Sequence, residues 1–150
     1  EIFLKSQILF YLLAAIDGHA KNFSIFIGPS GAYSLTPIYD VLSAYPLIHK
    51  NSLAQQKIKM AMGLLGKNKQ YHWDKIQKRH FLSTAKAVNF KETRMEELIQ
   101  EIVDQIEPVI LKISLSLPED FPKNISKSIF MGMQEAARRL RENKSIKTEI

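Results

Sequence analysis

Asp17 and Asn22 stand five residues apart, and Asp40 follows eighteen further on. The stretch that holds the first two, AIDGHAKNFS at residues 15–24, gathers an acid, a histidine, a lysine and an amide directly after the most apolar run of the chain. One carboxylate can orient an attacking hydroxyl and accept its proton. An asparagine a few positions later can help hold magnesium, and a second aspartate, delivered after a short β excursion, can bind the metal and bridge phosphates. The order Asp, Asn, Asp therefore suits a kinase-type catalytic loop. Each residue also has a plainer explanation: Asp17 as a turn residue at a helix end, Asn22 as a helix breaker, Asp40 as a cap for the turn after Pro37. Spacing alone leaves both open.

The elements that must position these groups follow from hydrophobic periodicity. Residues 2–16 are apolar on nearly every side, which predicts a buried helix stopped by Asp17-Gly18. NFSIFIG and AYSLTP predict two strands around the turn Gly28-Pro29-Ser30-Gly31, a β-hairpin that returns the chain to Asp40, with Phe23, Ile25 and Ile27 as its anchors. PIYDVLSAYP is a loop or short helical turn bounded by Pro37 and Pro46. Residues 47–72 are polar and basic around an apolar patch at 58–62 and receive no assignment. A helix is expected from Asp74 to about Val88, with Ile76, Phe81 and Ala85 on one face.

Between 92 and 116, Met95, Leu98, Ile99, Ile102, Ile106, Val109, Ile110 and Ile113 recur at helical spacing. They predict one helix of about six turns, kinked at Pro108. SLPEDFP is a connector. A last helix from Pro122 to Glu142 should turn Ile125, Ile129, Met133, Ala136 and Leu140 inward, and the tail NKSIKTEI should fray. The expected fold is mainly α with a small β-hairpin, the last three helices packing on the first as one lobe.

Composition narrows the class. The chain has 150 residues, enough for one domain or one large lobe, and 45% of them are hydrophobic. The absence of cysteine excludes disulfide and thiolate metal sites and fits a reducing compartment. The longest apolar run, Ile8 to Ile16, is too short to span a bilayer, and no secretory signal fits. The chain starts without Met and inside a helix, so a piece of a longer protein is expected.

Charge is segregated. Residues 50–91 carry ten basic side chains and one acid, Asp74, whereas residues 92–120 carry eight acids and two bases. The basic stretch is either a solvated surface or a set of phosphate contacts. GLLGKNK, at 63–69, has two glycines and a lysine but no evident strand–loop–strand or strand–loop–helix setting, so it does not read as a phosphate loop. His49, His72 and His80 show no site-like spacing, and Trp73 is expected as a packing anchor.

Five motifs in one order, DGHAKNFSIFI, LTPIYDVLSAYP, KMAMGL, RHFLSTAK and SLPEDFP, run along nearly the whole chain. Together they resemble the C-terminal lobe of the HipA family, serine/threonine kinase toxins of bacterial toxin–antitoxin modules. The resemblance implies a protein-kinase-like lobe with Asp17 as catalytic aspartate, and with Asn22 and Asp40 holding Mg2+ and ATP. It further implies that His19, Ala20, Lys21 and Tyr39 belong to the ATP-contacting loops. Beside that, Lys21 has the simpler role of neutralising nearby acids, and His19 that of a positioning residue, since Asp17 already fills the role of proton acceptor.

The resemblance implies a HipB-like antitoxin, operator DNA, a cytoplasmic location in bacteria, and glutamate-tRNA ligase as the phosphorylated protein, which halts translation and brings dormancy. It points to Lys86 as a DNA-backbone contact, with Lys78 and Arg79 behind it, although Asn89 stands where another basic residue is expected. The ATP-covering N-terminal lobe would precede Glu1, so residues 1–150 alone should transfer little or no phosphate. The alternative is a non-enzymatic module that binds antitoxin and DNA. A phosphohydrolase using Asp17 and His19 lacks a supporting carboxylate or histidine cluster.

Overall fold

A computed structural model describes residues 1–142; the tail expected to fray, 143–150, lies outside the described residues. Helix α1 (Ile2–Leu13) seals Ile8, Phe10, Tyr11 and Leu12 from solvent. A helix this apolar has to be surrounded, and α4 (Glu92–Asp104) and α6 (Lys123–Arg141) pack against it.

α1 ends three residues before the apolar run does. Ala14 takes the left-handed conformation (φ 47°), and the Ala15 N–H donates to the Phe10 carbonyl at 2.8 Å. That is the usual C-terminal helix stop, performed here by alanine. Asp17-Gly18 is therefore not the stop. Gly18 is small for another reason: a Cβ there would lie 2.4 Å from the Phe10 ring.

Residues 14–16 are apolar because they run through the core as loop, and buried carbonyls there need partners. Distant residues supply them. Trp73 Nε1–H donates to the Tyr11 carbonyl at 2.9 Å and the Tyr45 hydroxyl to that of Leu12 at 3.0 Å. The N–H of Ala44 reaches Ala14 at 3.1 Å, and that of Ala61 reaches Ile16 at 2.9 Å. Burial pushes the Tyr45 hydroxyl pKa well up, so it stays a donor.

The first hairpin forms as expected, β1 (Ile25–Ile27) antiparallel to β2 (Tyr33–Leu35), with Ile25 opposite Leu35 and Ile27 opposite Tyr33. Its anchoring differs. Phe23 is half-buried against the rings of Phe3 and Phe10, while Ile25 and Ile27 are exposed. Residues 47–72, unassigned from sequence, fold into the last turns of α2 (Tyr45–His49) and a second hairpin of β3 (Lys59–Leu64) and β4 (Gln70–His72). The hairpin was hidden by an irregularity between Lys59 and Leu64, which breaks the alternation of period two.

The expected helix from Asp74 begins four residues later, as α3 (Lys78–Ala87), after a 3-10 turn at Trp73–Lys75; Gln77 N–H donates to His80 Nδ1 at 2.9 Å at its start. Ile76 precedes the helix, yet it is buried with Phe81 and Ala85.

The single kinked helix at 92–116 is two helices, α4 and α5 (Ile106–Ser116), broken at Gln105. In a continuous helix the Pro108 ring would clash with the Asp104 carbonyl. Beginning α5 two residues before Pro108 puts it in a first turn, where no N–H is needed. The break also turns the later apolar positions away: Val109 and Ile113 are exposed, against expectation, and Leu111 and Leu115, which carried no such expectation, are exposed beside them. On α6, Met133, Ala136 and Leu140 are buried and Ile125 and Ile129 half-buried. Among the described residues no helix is long and apolar enough to cross a membrane.

Tyr45→Phe removes one hydroxyl and leaves the buried Leu12 carbonyl without it. Chemical denaturation should show a loss of about 1–2 kcal/mol, with a larger loss for Trp73→Phe, which also gives up ring volume. An unmoved midpoint for Tyr45→Phe would show that the bond carries no stability.

Candidate functional site

Past Ile16 the chain leaves the core, and Asp17 is exposed. Gly18 is buried against Phe10, so the departure point is set by a ring contact. A 3-10 turn at Ala20–Asn22 follows, closed by the His19 N–H donating to Asn22 Oδ1 at 3.0 Å. Ala20 and Lys21 are exposed on this turn.

Asn22 is the pivot. It is buried, and its Nδ2 donates to Asp40 Oδ2 at 2.9 Å. With both ends of its amide engaged, its orientation is fixed. Two of the three residues read from spacing thus touch across eighteen positions. Asp40 sits at φ 58°, a left-handed conformation uncommon outside glycine, and such strain persists where surrounding contacts over-determine it. Those contacts are present next door. The Tyr39 hydroxyl donates to the Lys21 carbonyl at 3.1 Å, so the 2.8 Å contact with Ser24 is a bond donated by the serine. Ser24 went unremarked in the sequence, where nothing separates it from other loop serines. The Thr36 N–H also donates to the Ser24 carbonyl at 2.9 Å, continuing the hairpin ladder. The 39–40 segment is therefore fastened to the 21–24 segment at each of its two residues.

The donor set is suited to magnesium. Asp40 Oδ1 has no partner among the described residues, and Asn22 Oδ1, which accepts from the His19 N–H while the amide turns Nδ2 toward Asp40, keeps a second lone pair. His19 Nδ1 is buried nearby in sequence with no hydrogen-bond partner. No group of three His, Cys, Asp or Glu able to hold a metal occurs among the described residues. Two protein oxygens completed by water and phosphates is the way magnesium is held, whereas zinc sites need three or four tighter ligands.

The basic candidates lie on another part of the fold. Lys78 pairs with Glu96 at 3.4 Å and Lys86 with Glu92 at 3.7 Å, both acids on α4. Arg79 has no ion pair among the described residues and lines a cavity with Lys67, Lys69, Lys75, His72 and His80. The segment 63–69 does have the strand–loop–strand setting that the sequence hid: it ends β3 and turns into β4.

The model of the HipA-like C-terminal domain matches residues 1–110. Among solved structures, the chain is similar to one in the complex of HipA, HipB and operator DNA of the Shewanella oneidensis MR-1 toxin–antitoxin system. The TM-score is 0.74 at 18% identity, over 92% of this chain and 30% of that one. At that identity the likeness is one of fold, and the chain spans less than a third of its neighbour's length. The five ordered motifs, the hairpin that returns Asp40 to Asn22, and a family match across most of the described residues agree: this chain belongs to the HipA-like C-terminal domain family.

Proposed function

We propose that residues 1–150 form the catalytic lobe of a HipA-type serine/threonine kinase that transfers the ATP γ-phosphate to a protein serine. The observation that carries this is the 2.9 Å contact between Asn22 and Asp40, with Asp17 five residues before Asn22 on the same loop. Asp17, exposed and with no ion pair or hydrogen bond among the described residues, orients the serine hydroxyl and takes its proton as the oxygen attacks the γ-phosphorus and the bond to ADP breaks. Asn22 and Asp40 would hold Mg2+, which when bound offsets the charge of the phosphates. Tyr39, through Lys21 and Ser24, keeps the metal aspartate against the catalytic loop. His19, Ala20 and Lys21 present that loop to ATP. The ATP-covering loop and the strand lysine that kinases need come from an N-terminal lobe.

By family resemblance the substrate is glutamate-tRNA ligase, the partner a HipB-like antitoxin assembled on operator DNA, and the setting the bacterial cytoplasm. Presence of all three of Asp17, Asn22 and Asp40 disfavours a purely non-enzymatic binding module.

In the full-length protein, Asp17→Asn should slow phosphate transfer to glutamate-tRNA ligase by about 10²–10⁴-fold while ATP affinity, by calorimetry, changes little. Full transfer by that variant would refute the catalytic role.

Asn22→Asp sets a second carboxylate where an amide now donates to Asp40. Like charges at that distance favour protonation in the folded state, so the folded-state pKa of the pair rises. The variant should lose about 1–3 kcal/mol near neutral pH, with part of the loss relieved as pH falls into the carboxylate range, and millimolar Mg2+ should raise its melting temperature. Identical deficits at neutral and acid pH, with no response to Mg2+, would exclude the Asn22–Asp40 pairing.

A further inference from the structure

The second hairpin ends in an unneutralised cluster of charge. Its turn, the end of β4 and the first turns of α3 border an open cavity of about 610 Å3. Lys67, Lys69, Lys75 and Arg79 line it, and among the described residues none of them has an ion pair and no carboxylate lines the cavity. His80, also in the wall, is buried, with Nδ1 engaged by Gln77 N–H; burial and the neighbouring Arg79 lower its pKa, so it adds no charge near neutrality. His72 leaves its Nδ1 buried without a hydrogen-bond partner.

The arrangement is built. A Cβ on Gly66 would stand 2.9 Å from the His80 ring, so the turn backbone rests directly on α3. That contact fixes where Lys67 and Lys69 stand relative to Arg79. Lys78 and Lys86, by contrast, each lie within ion-pair distance of an acid of α4, Lys86 while staying largely exposed.

We infer that this cavity is a phosphate-binding site that takes the backbone of a nucleic acid, with Lys67, Lys69, Lys75 and Arg79 as its contacts in place of Lys86 and Lys78. The inference rests on the DNA association in the proposed function and assigns it a surface. Arg79 can fork two phosphate oxygens, and the lysines act as point charges. All four cations are exposed. A small anion's pocket would bury its ligand; four exposed cations around an open cavity suit successive phosphates of a polyanion. Such contacts hold a protein on a duplex and read no sequence.

The test uses the full-length protein and a duplex of arbitrary sequence, about 20 base pairs long, by fluorescence anisotropy across a salt series. Lys67→Ala/Lys69→Ala and Arg79→Ala should each weaken binding about tenfold and flatten the salt dependence by about one unit of log–log slope per lost contact. Lys86→Ala should change it less, and melting temperature should stay constant. Wild type binding the duplex, with these variants matching it in affinity and slope, would overturn the cavity and leave DNA association standing. A wild type that binds inorganic pyrophosphate and no duplex would overturn the nucleic-acid assignment and DNA association together. Phosphate transfer is read separately, so loss of the kinase proposal would not be mistaken for either.

Discussion

Four carbonyls in the last turn of α1 and the buried loop just after it set the terms for the rest of the structure. A helix this apolar ends inside the core, and its last carbonyls cannot be left to water. Tyr11, Leu12, Ala14 and Ile16 are instead bonded by Trp73, Tyr45, Ala44 and Ala61. Those partners come from three later parts of the chain: the turn before α3, the segment around the start of α2, and β3. Satisfying one helix end therefore requires the second hairpin and the α2 region to be in place. The cost of an unmet buried carbonyl, about 1–3 kcal/mol, is large beside the net stability of a domain. Arg139, stacked 4.3 Å above the Trp73 ring, ties α6 into the same knot.

The consequence for the site is positional. Asp17 follows one residue after the last of these bonded carbonyls. The next loop is pinned at Gly18 by the Phe10 ring and at Asn22 by two hydrogen bonds. The first hairpin contributes little burial, since β1 and the start of β2 are exposed. Its work is to reverse the chain so that Tyr39 and Asp40 land on residues 21–24. The strained φ of Asp40 is sustained by those two attachments rather than by its own preference.

The fold class and the Asn22–Asp40 contact were legible in the sequence, whereas several element boundaries were not. Asp17, Asn22 and Asp40 could be grouped because spacing and a hairpin with an obvious Gly-Pro-Ser-Gly turn survive without tertiary context. The errors fell where tertiary context decides. The apolar run to Ile16 looked like helix because buried loop and buried helix share a composition. β3 was invisible because its irregular pairing breaks alternation. Val109 and Ile113 kept a helical period while the break at Gln105 rotated them into solvent. The pairing of Asn22 with Asp40 was implied by chemistry, but the Tyr39–Ser24 attachment had no sequence signal at all.

Charge segregation, visible from composition, acquires a physical meaning only once packed. α3 and α4 lie against each other, and the acids of α4 reach Lys78 and Lys86. They do not reach the turn at 65–69, which projects from the far end of β3. Of the ten cations of residues 50–91, the fold thus pairs Lys78 and Lys86 with acids of α4 and gathers four others, Lys67, Lys69, Lys75 and Arg79, around the cavity without ion pairs among the described residues. Exposed ion pairs of this kind contribute at most about 1 kcal/mol to stability, so the α4 acids do little to hold α3 in place. Their larger effect is electrostatic: they lower the positive potential over Lys78 and Lys86, an effect that does not extend to an ion pair with any cation of the cavity among the described residues.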